Sequence, residues 1–281
     1  MSTRADAHLH FFHPGYTAVL PASCRRVQPD EVTLYTALAQ QHGIVKVLAV
    51  GYEGAPWAVG NNRHLAELAA SHDWIKPVAF VHDLARLDVP ALERLERARF
   101  VGLSLYLFDD PLLDALARAP GDVWGWLAER RWLISVNSRG ERWAAWMPIL
   151  KLHPEARLLI SHLGLPPAVE RAPDDPTVRR ALGAVLELAQ FPSVHVKLSG
   201  FYALTTPGYD YPHRAAWPYV TALLAAFGAA RLLWGSDFSP GLEWLSFPQT
   251  FGLFAQMPFL DESDLRRIEG ENLLALLADV R

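Results

Sequence analysis

Residues 4–12 of the chain read Arg4-Ala-Asp-Ala-His-Leu-His-Phe-Phe12 and contain an Asp-x-His-x-His pattern near the start of the sequence. Alternate side chains of a β-strand point to the same side, so a strand here would place Asp6, His8 and His10 on one face. Two imidazoles in one small volume can hold a divalent metal or polarise a carbonyl group. We therefore predict that this stretch is the first strand of the fold and that a third histidine and an acid complete its site.

Strands and helices alternate along the rest of the chain. Runs rich in Val, Ile and Leu predict further strands at 44–50, 75–81, 100–107, 132–137, 156–162, 193–199 and 231–237. A first helix is expected from about residue 30 to Gly43, and helical patterns follow at 61–72, 89–98, 111–130, 141–153, 176–190, 213–227 and 247–257. Eight strands, each followed by a helix, are typical of an α/β fold of the (β/α)8 TIM-barrel type. Residues 261–280 predict an extra C-terminal helix, and the absence of a linker indicates a single domain over residues 1–281.

Composition narrows the function classes. The 281 residues carry a net charge of -4 without a basic stripe, which argues against a nucleic-acid partner. Cys24 is the single cysteine, so neither an intrachain disulfide nor a multi-thiolate metal site can form. No run of apolar residues is long enough for a membrane helix, and no signal sequence is evident. We expect a cytoplasmic enzyme that acts on a small molecule, with a homo-oligomer left open.

Polar residues recur at every second position of several predicted strands. In a TIM barrel the outward strand residues meet the helices and are apolar, so a polar stripe indicates residues that face the lumen. These stripes consist of Ser104 and Tyr106 on the fourth strand, Ser135, Asn137 and, just beyond, Arg139 on the fifth, and His195, Lys197 and Ser199 on the seventh.

Two further polar residues end otherwise apolar strands, His162 on the sixth and Asp237 on the eighth. Barrel enzymes keep their chemistry at the C-terminal rim of the strands. Closure of the barrel sets the eighth strand beside the first, which brings Asp237 close to His8 and His10. The predicted constellation is three histidines and one aspartate. The long loop at 201–212 is a candidate substrate lid.

Four segments resemble a known family. They are Asp6-Ala-His-Leu-His10, Ser161-His-Leu-Gly164, Val196-Lys-Leu-Ser-Gly200 and Trp234-Gly-Ser-Asp-Phe-Ser-Pro240. In this order and spacing they are similar to the recurring segments of the amidohydrolase superfamily. They most resemble its lactone-hydrolase branch, which includes 2-pyrone-4,6-dicarboxylate lactonase and sugar lactonases.

The resemblance implies roles for the four rim residues. Asp237 corresponds to the general base that activates water, and His8, His10 and His162 surround the reacting carbonyl group. In metal-using relatives His8, His10 and Asp237 would be the ligands, and imidazole with carboxylate suits zinc. The cofactor prediction is one divalent metal, with zinc preferred, or none.

This chain departs from the metal-rich pattern of the superfamily. Metal-dependent decarboxylase members carry a further histidine ligand on the fifth strand, where Ser135 and Asn137 stand here. The carboxylated lysine of two-metal members belongs on the fourth strand, where this chain has Ser104 and Tyr106. The sequence therefore argues against a two-metal site.

The inward polar residues are candidates for binding substrate. Arg139 and Lys197 are the inward cations, and Ser104, Tyr106 and Asn137 are hydrogen-bonding groups of the lumen wall. Planar guanidinium groups pair well with carboxylates, so a dicarboxylate substrate predicts more arginines than are present. A sugar lactone or the lactone of a monoacid remains open.

Alternatives remain at this stage. Asp237 can cap its loop, His162 can be a packed core histidine, and Lys197 can form an internal ion pair. A zinc-dependent decarboxylase of the aminocarboxymuconate semialdehyde decarboxylase type would use His8, His10 and Asp237 as ligands and His162 for proton transfer. A non-catalytic barrel that binds a metabolite is the third hypothesis.

Overall fold

The strands of the computed structural model, which describes residues 3–16 and 30–281, form a parallel sheet that closes into a barrel. Each strand pairs in parallel with the next along the chain. A parallel bridge between Leu9 and Phe238 closes the barrel, confirming the (β/α)8 prediction. Cys24 lies outside the described residues. The strands are β1 (Arg4–Leu9), β2 (Ile44–Val50), β3 (Ile75–Phe80), β4 (Gly102–Leu107), β5 (Leu133–Ser138), β6 (Arg157–Ile160), β7 (His195–Leu198) and β8 (Leu232–Trp234).

Helices cover the outside of this barrel, and among the described residues none is long and apolar enough to cross a membrane. The segment predicted as one helix at 111–130 is two helices, because Pro120 lacks the N–H that a continuous helix needs there. The helix predicted at 247–257 contains Gly252, a weak helix former, and is reduced to two short turns. The α-helices are α1 (Glu31–His42), α2 (Asn61–Ser71), α3 (Val89–Arg97), α4 (Asp110–Ala117), α5 (Gly121–Glu129), α6 (Met147–Leu152), α7 (Asp175–Glu187), α8 (Trp217–Phe227), α9 (Gln249–Gly252), α10 (Glu262–Arg266) and α11 (Asn272–Ala278).

A β-bulge interrupts the side-chain alternation of β1. Asp6 pairs with Val47 and Leu9 pairs with Ala49. Leu9 is three residues after Asp6, but Ala49 is only two residues after Val47, so β1 contains one extra residue here. As a result Asp6 does not share the face of His8, which corrects the sequence prediction. Asp6 Oδ2 instead accepts a hydrogen bond of 2.7 Å from the hydroxyl of Tyr35 on α1.

Asp6 ties the first strand to the last. Its Oδ1 accepts bonds from the backbone N–H groups of His8, at 3.1 Å, and Ser236, at 2.9 Å. The side chain is completely buried. Asp6 is therefore a structural residue that fixes the backbone on both sides of the site.

β6 and β8 end earlier than predicted. His162 and Asp237 follow the strands with φ angles of 52° and 54°, a left-handed conformation that a strand cannot contain. Positive φ is uncommon for residues other than glycine and is concentrated at functional sites. Both side chains consequently stand at the C-terminal rim of the barrel on sharp turns.

The C-terminal segment closes the opposite end of the barrel. It is the predicted extra helix, with α10 and α11 joined by a π-helical stretch at Arg267–Glu271. Leu273 and Leu276 pack with Ala5, Leu133 and other apolar residues at the N-terminal ends of the strands. The lumen therefore has an apolar floor, and its polar residues lie above it.

Candidate active site

Three histidines and Asp237 meet at the rim, as the sequence predicted. Asp237 Oδ1 lies 3.7 Å from His8 Nε2 and 3.8 Å from His10 Nε2. The ring centroids of His8 and His162 are 4.5 Å apart. Asp237, His8 and His10 are at most 6% exposed, so interactions between them are weakly screened by water.

Two glycines make room for this cluster. A Cβ atom on Gly235 would lie 2.6 Å from His8 Cβ, and one on Gly200 would lie 2.6 Å from His162 Nδ1. Real Cβ atoms do not approach so closely, so a larger residue at either position would displace an imidazole. These contacts give a physical reason for glycine in the segments 196–200 and 234–240.

Each imidazole is held through Nδ1. His10 Nδ1 donates to the Val50 carbonyl oxygen at 2.8 Å, and His162 Nδ1 bonds Ser199 Oγ at 2.9 Å. The ammonium of Lys197 lies 3.3 Å from His8 Nδ1. The second nitrogen of each ring, Nε2, is left for chemistry.

Burial lowers the pKa of all three histidines and holds that of His8 well below the usual value. Lys197, the second cause at His8, acts in the same direction. At neutral pH the imidazoles are therefore uncharged. An ammonium at Lys197 can only donate to His8 Nδ1, which places the proton of neutral His8 on Nε2, towards Asp237.

Tyr202 completes the support of Asp237. Its hydroxyl donates to Asp237 Oδ2 at 2.5 Å, which leaves Oδ1 facing His8 and His10. Sequence reasoning placed Tyr202 in a possible lid but did not assign it to the site. The available signal was its position, four residues after the end of β7 at the rim of the barrel. Lid movement of this loop stays a hypothesis.

The inward cations occupy different places. Lys197 is completely buried and donates to Ser135 Oγ at 2.7 Å, so its ammonium lies behind the His8 ring. Burial lowers the pKa of Lys197 to about 7. Arg139 is exposed beyond the end of β5. The structure thus does not bring Arg139 and Lys197 together as one anion clamp.

The predicted wall residues face the lumen at neighbouring levels. Ser104 pairs with Ser135, and Tyr106 pairs with Asn137. Ser104 Oγ, Asn137 Nδ2 and His8 Nε2 are buried and lack a hydrogen-bond partner among the described residues. An unpaired buried polar group costs about 1–3 kcal/mol, so these atoms are suited to bind a polar ligand or water.

An aromatic pocket opens beside His10. The cavity measures about 530 Å³, within the usual range for small-molecule sites. We use the name aromatic pocket for the surface formed by Phe12, Tyr52, Trp57, Phe80, Tyr106 and Phe108. The predicted wall residue Tyr106 therefore belongs to this pocket.

The cluster also has the composition of a metal site. Within the described residues, His8, His162 and Asp237 offer ligand atoms that all lie within 4.8 Å of one another. Two neutral imidazoles and a carboxylate suit zinc, so the residues fit one divalent ion. A metal on His8 Nε2 requires the proton of His8 to be on Nδ1, which Lys197 can accept when it is a neutral amine. Our predicted ligand set contained His10 in place of His162, and the choice between them stays a prediction.

A family comparison agrees with the fold and the motifs. The family model described as Amidohydrolase matches residues 5–277. The chain belongs to this amidohydrolase family and is a hydrolase, as the four segments predicted.

Individual relatives include a lactonase. L-fucono-1,5-lactonase of Burkholderia ambifaria is 28% identical over 254 residues, which cover 85% of this chain and 81% of that protein. An amidohydrolase of Burkholderia multivorans, solved with bound zinc, is 22% identical with a TM-score of 0.79 and 99% of both chains covered. A probable 2-pyrone-4,6-dicarboxylic acid hydrolase of Acinetobacter baumannii, solved with citric acid, is 18% identical with a TM-score of 0.70, covering 98% of this chain and 99% of that one.

Proposed function

We propose that the protein hydrolyses a lactone, with Asp237 as the base that activates water. The observation that carries this proposal is the pairing of a buried carboxylate oxygen, Asp237 Oδ1, with the Nε2 atoms of His8 and His10 at 3.7 and 3.8 Å. A water molecule beside these atoms can lie within hydrogen-bond distance of the carboxylate oxygen and of an imidazole nitrogen at once. The lactonase among the relatives supports the choice of a cyclic ester.

The reaction needs one proton acceptor and one oxyanion site. Asp237 takes a proton from water while the water oxygen attacks the lactone carbonyl carbon. The Nε2–H of His8 donates to the developing oxyanion, and His162 is a second donor when its Nδ1 accepts from the Ser199 hydroxyl. The Nε2 atom of neutral His10 carries no proton, because its Nδ1–H donates to the Val50 carbonyl, so this atom can accept a hydrogen bond from the attacking water. The ring C–O bond then breaks, and Asp237 returns the proton to the leaving alkoxide. The product is a hydroxy acid, whose ionisation releases a proton.

A bound metal would add to this chemistry without changing the role of the wall residues. His8, with Asp237 and either His162 or His10, would hold one zinc ion, which would lower the pKa of a water molecule and polarise the carbonyl group. The zinc-bound amidohydrolase of similar fold supports this part of the proposal.

We propose a small-molecule lactone as the substrate, and the sequence alone suggested a sugar or a carboxylated metabolite as its class. Ser104 and Asn137 offer unpartnered polar atoms for its oxygen atoms, and Arg139 at the rim is available for one carboxylate. The relatives favour hydrolysis over zinc-dependent decarboxylation, because a lactonase is among them.

Proton release, followed with a pH indicator, tests the proposal. The purified protein is offered sugar lactones, alkyl lactones and aromatic-pathway lactones, with and without a chelator, and its metal content is measured. Release from at least one lactone is expected. Activity that survives chelation would assign hydrogen bonding alone to the histidines, whereas activity that is lost on chelation and restored by zinc would show that some of them are metal ligands. No release from any lactone would contradict the proposal.

A further inference from the structure

The aromatic pocket is continuous with the reacting centre. His10, whose Nε2 faces Asp237, stacks on Phe12 with ring centroids 5.4 Å apart and planes inclined by 8°. Phe12 in turn meets Trp57 edge-on at 4.8 Å. A lactone with its carbonyl group at His8 and Asp237 can therefore place a substituent in this pocket.

The aromatic rings of the pocket pack against one another. Tyr52 lies 4.8 Å from Tyr106 and 5.7 Å from Phe80, and Phe80 lies 5.9 Å from Tyr106, measured between centroids. Aromatic pairs at these distances stabilise one another, so the three rings form a contiguous wall. Trp57, Tyr52 and Phe108 are only partly buried and leave ring surface uncovered. A flat apolar group would cover that surface.

Charge at the pocket argues against an anion. Among the described residues that line it, no Lys or Arg is present, and Asp109 contributes a carboxylate at the rim. A substrate carboxylate here would meet like charge and lose water without gaining a cationic partner. Most of the residues that line the pocket are aromatic, so a flat apolar group would bury more surface here than a polyhydroxylated ring, which would also lose water.

We propose that the aromatic pocket selects uncharged lactones that carry a flat apolar substituent, such as an aryl group. This inference rests on the proposed lactonase function and narrows its substrate class. It favours such compounds over both the polyhydroxylated and the carboxylated lactones.

The test compares two lactones that differ only in the apolar group. They are δ-valerolactone and the same ring bearing a phenyl group on a carbon remote from the ester, so that the leaving alkoxide is the same. We expect kcat/KM to be roughly tenfold or more higher for the phenyl compound. A polyhydroxylated δ-lactone and 2-pyrone-4,6-dicarboxylate should both have a lower kcat/KM than the phenyl compound. A higher value for either one would overturn the inference.

A variant of the aromatic pocket provides a second test of this inference. Trp57→Ala removes a partly buried ring from the pocket wall and should lower the phenyl-to-parent ratio of kcat/KM several-fold. Leu152→Ala is the control, because Leu152 is 78% exposed on α6 and does not line the pocket. An unchanged ratio in Trp57→Ala would overturn the inference.

Binding of lactams separates this inference from the proposed function. The two corresponding lactams keep the shapes of the lactones and resist hydrolysis, so calorimetry can measure their affinities directly. Preference for the phenyl lactam with no lactone hydrolysed would support the pocket and contradict the lactonase proposal. Hydrolysis of lactones without preference for phenyl would support the lactonase and overturn the pocket.

Discussion

Asp237 depends on its neighbours for orientation, and Tyr202 is the neighbour that holds one of its oxygens. Tyr202 donates to Oδ2 at 2.5 Å, while its ring lies parallel to Trp244 with an interplanar angle of 5°. The hydroxyl and the ring therefore have separable roles. The first positions the carboxylate, and the second anchors the loop after β7.

Tyr202→Phe removes the hydroxyl and keeps the ring. A hydrogen bond to a charged group contributes about 1.5–3 kcal/mol, so we expect kcat to fall roughly 10- to 100-fold. Because this bond orients the base and the Tyr202 hydroxyl is taken up by Asp237, KM for the lactone should stay within about twofold. Tyr209→Phe is the control, since Tyr209 lies in the same loop and is 69% exposed. An unchanged kcat in Tyr202→Phe, with or without a loss of unfolding free energy, would show that the hydroxyl does not position the base.

The residues of the site were largely predictable, and their exact support was not. His8, His10, His162 and Asp237 were found because motif position and strand order place them at one rim. Lys197 was expected to meet substrate, yet its ammonium lies behind His8, because its register on β7 directs it at Ser135 across the lumen. Contacts between strands distant in sequence decide such details.

At the scale of elements, alternation of apolar and polar residues located the strands well, and β2 has the predicted bounds. It failed where the backbone leaves regular geometry. The bulge on β1 separates Asp6 from His8, and the positive φ angles of His162 and Asp237 end β6 and β8 early. Neither feature has a periodic signature in sequence.

The segment between β7 and α8 makes a prediction about pH. His213 has a φ of 60°, its Nδ1 bonds Thr205 Oγ1 at 2.7 Å, and burial lowers its pKa from 6.5 to about 4. The unfolded chain therefore binds a proton that the folded protein excludes between these pH values. Its contribution to stability is present above pH 6.5 and is lost as the pH falls towards 4.

His213→Asn should reduce this acid sensitivity. Asparagine tolerates a positive φ and offers an oxygen to Thr205, so the fold of the segment is retained. Urea unfolding at pH 7 and near pH 4 measures the difference. We expect a smaller loss of unfolding free energy on acidification in the variant than in the wild type, and an equal loss would contradict the assignment.

At the scale of the whole molecule, the residues that stabilise the fold and the residues of the candidate active site lie at opposite ends of the barrel. Its floor is apolar and closed by α11, and its mouth holds the buried histidines and Asp237. The C-terminal helix packs against β1 and β8, the strands that contribute His8 and precede Asp237. Residues of the floor should therefore affect folding more than turnover.

Leu273→Ala tests this separation. Leu273 is 1% exposed in the floor, and truncation of such a buried leucine costs about 2–5 kcal/mol of unfolding free energy. Urea unfolding should show this loss, while kcat measured well below the transition should stay within about twofold. Ala275→Ser on the exposed side of α11 should change neither quantity. A large fall in kcat with little loss of unfolding free energy in Leu273→Ala would contradict the prediction that residues of the floor affect folding more than turnover.

The most direct measurement for the account as a whole is hydrolysis of the best lactone by Asp237→Asn, beside the affinity of that variant for the matching lactam. Asparagine keeps the shape of the side chain and cannot accept the proton of water as a carboxylate does. We expect kcat to fall by about 10²- to 10⁴-fold, the usual contribution of a general base, with lactam affinity nearly unchanged. A variant that retains kcat within tenfold of the wild type would show that Asp237 is not the base and would contradict the mechanism.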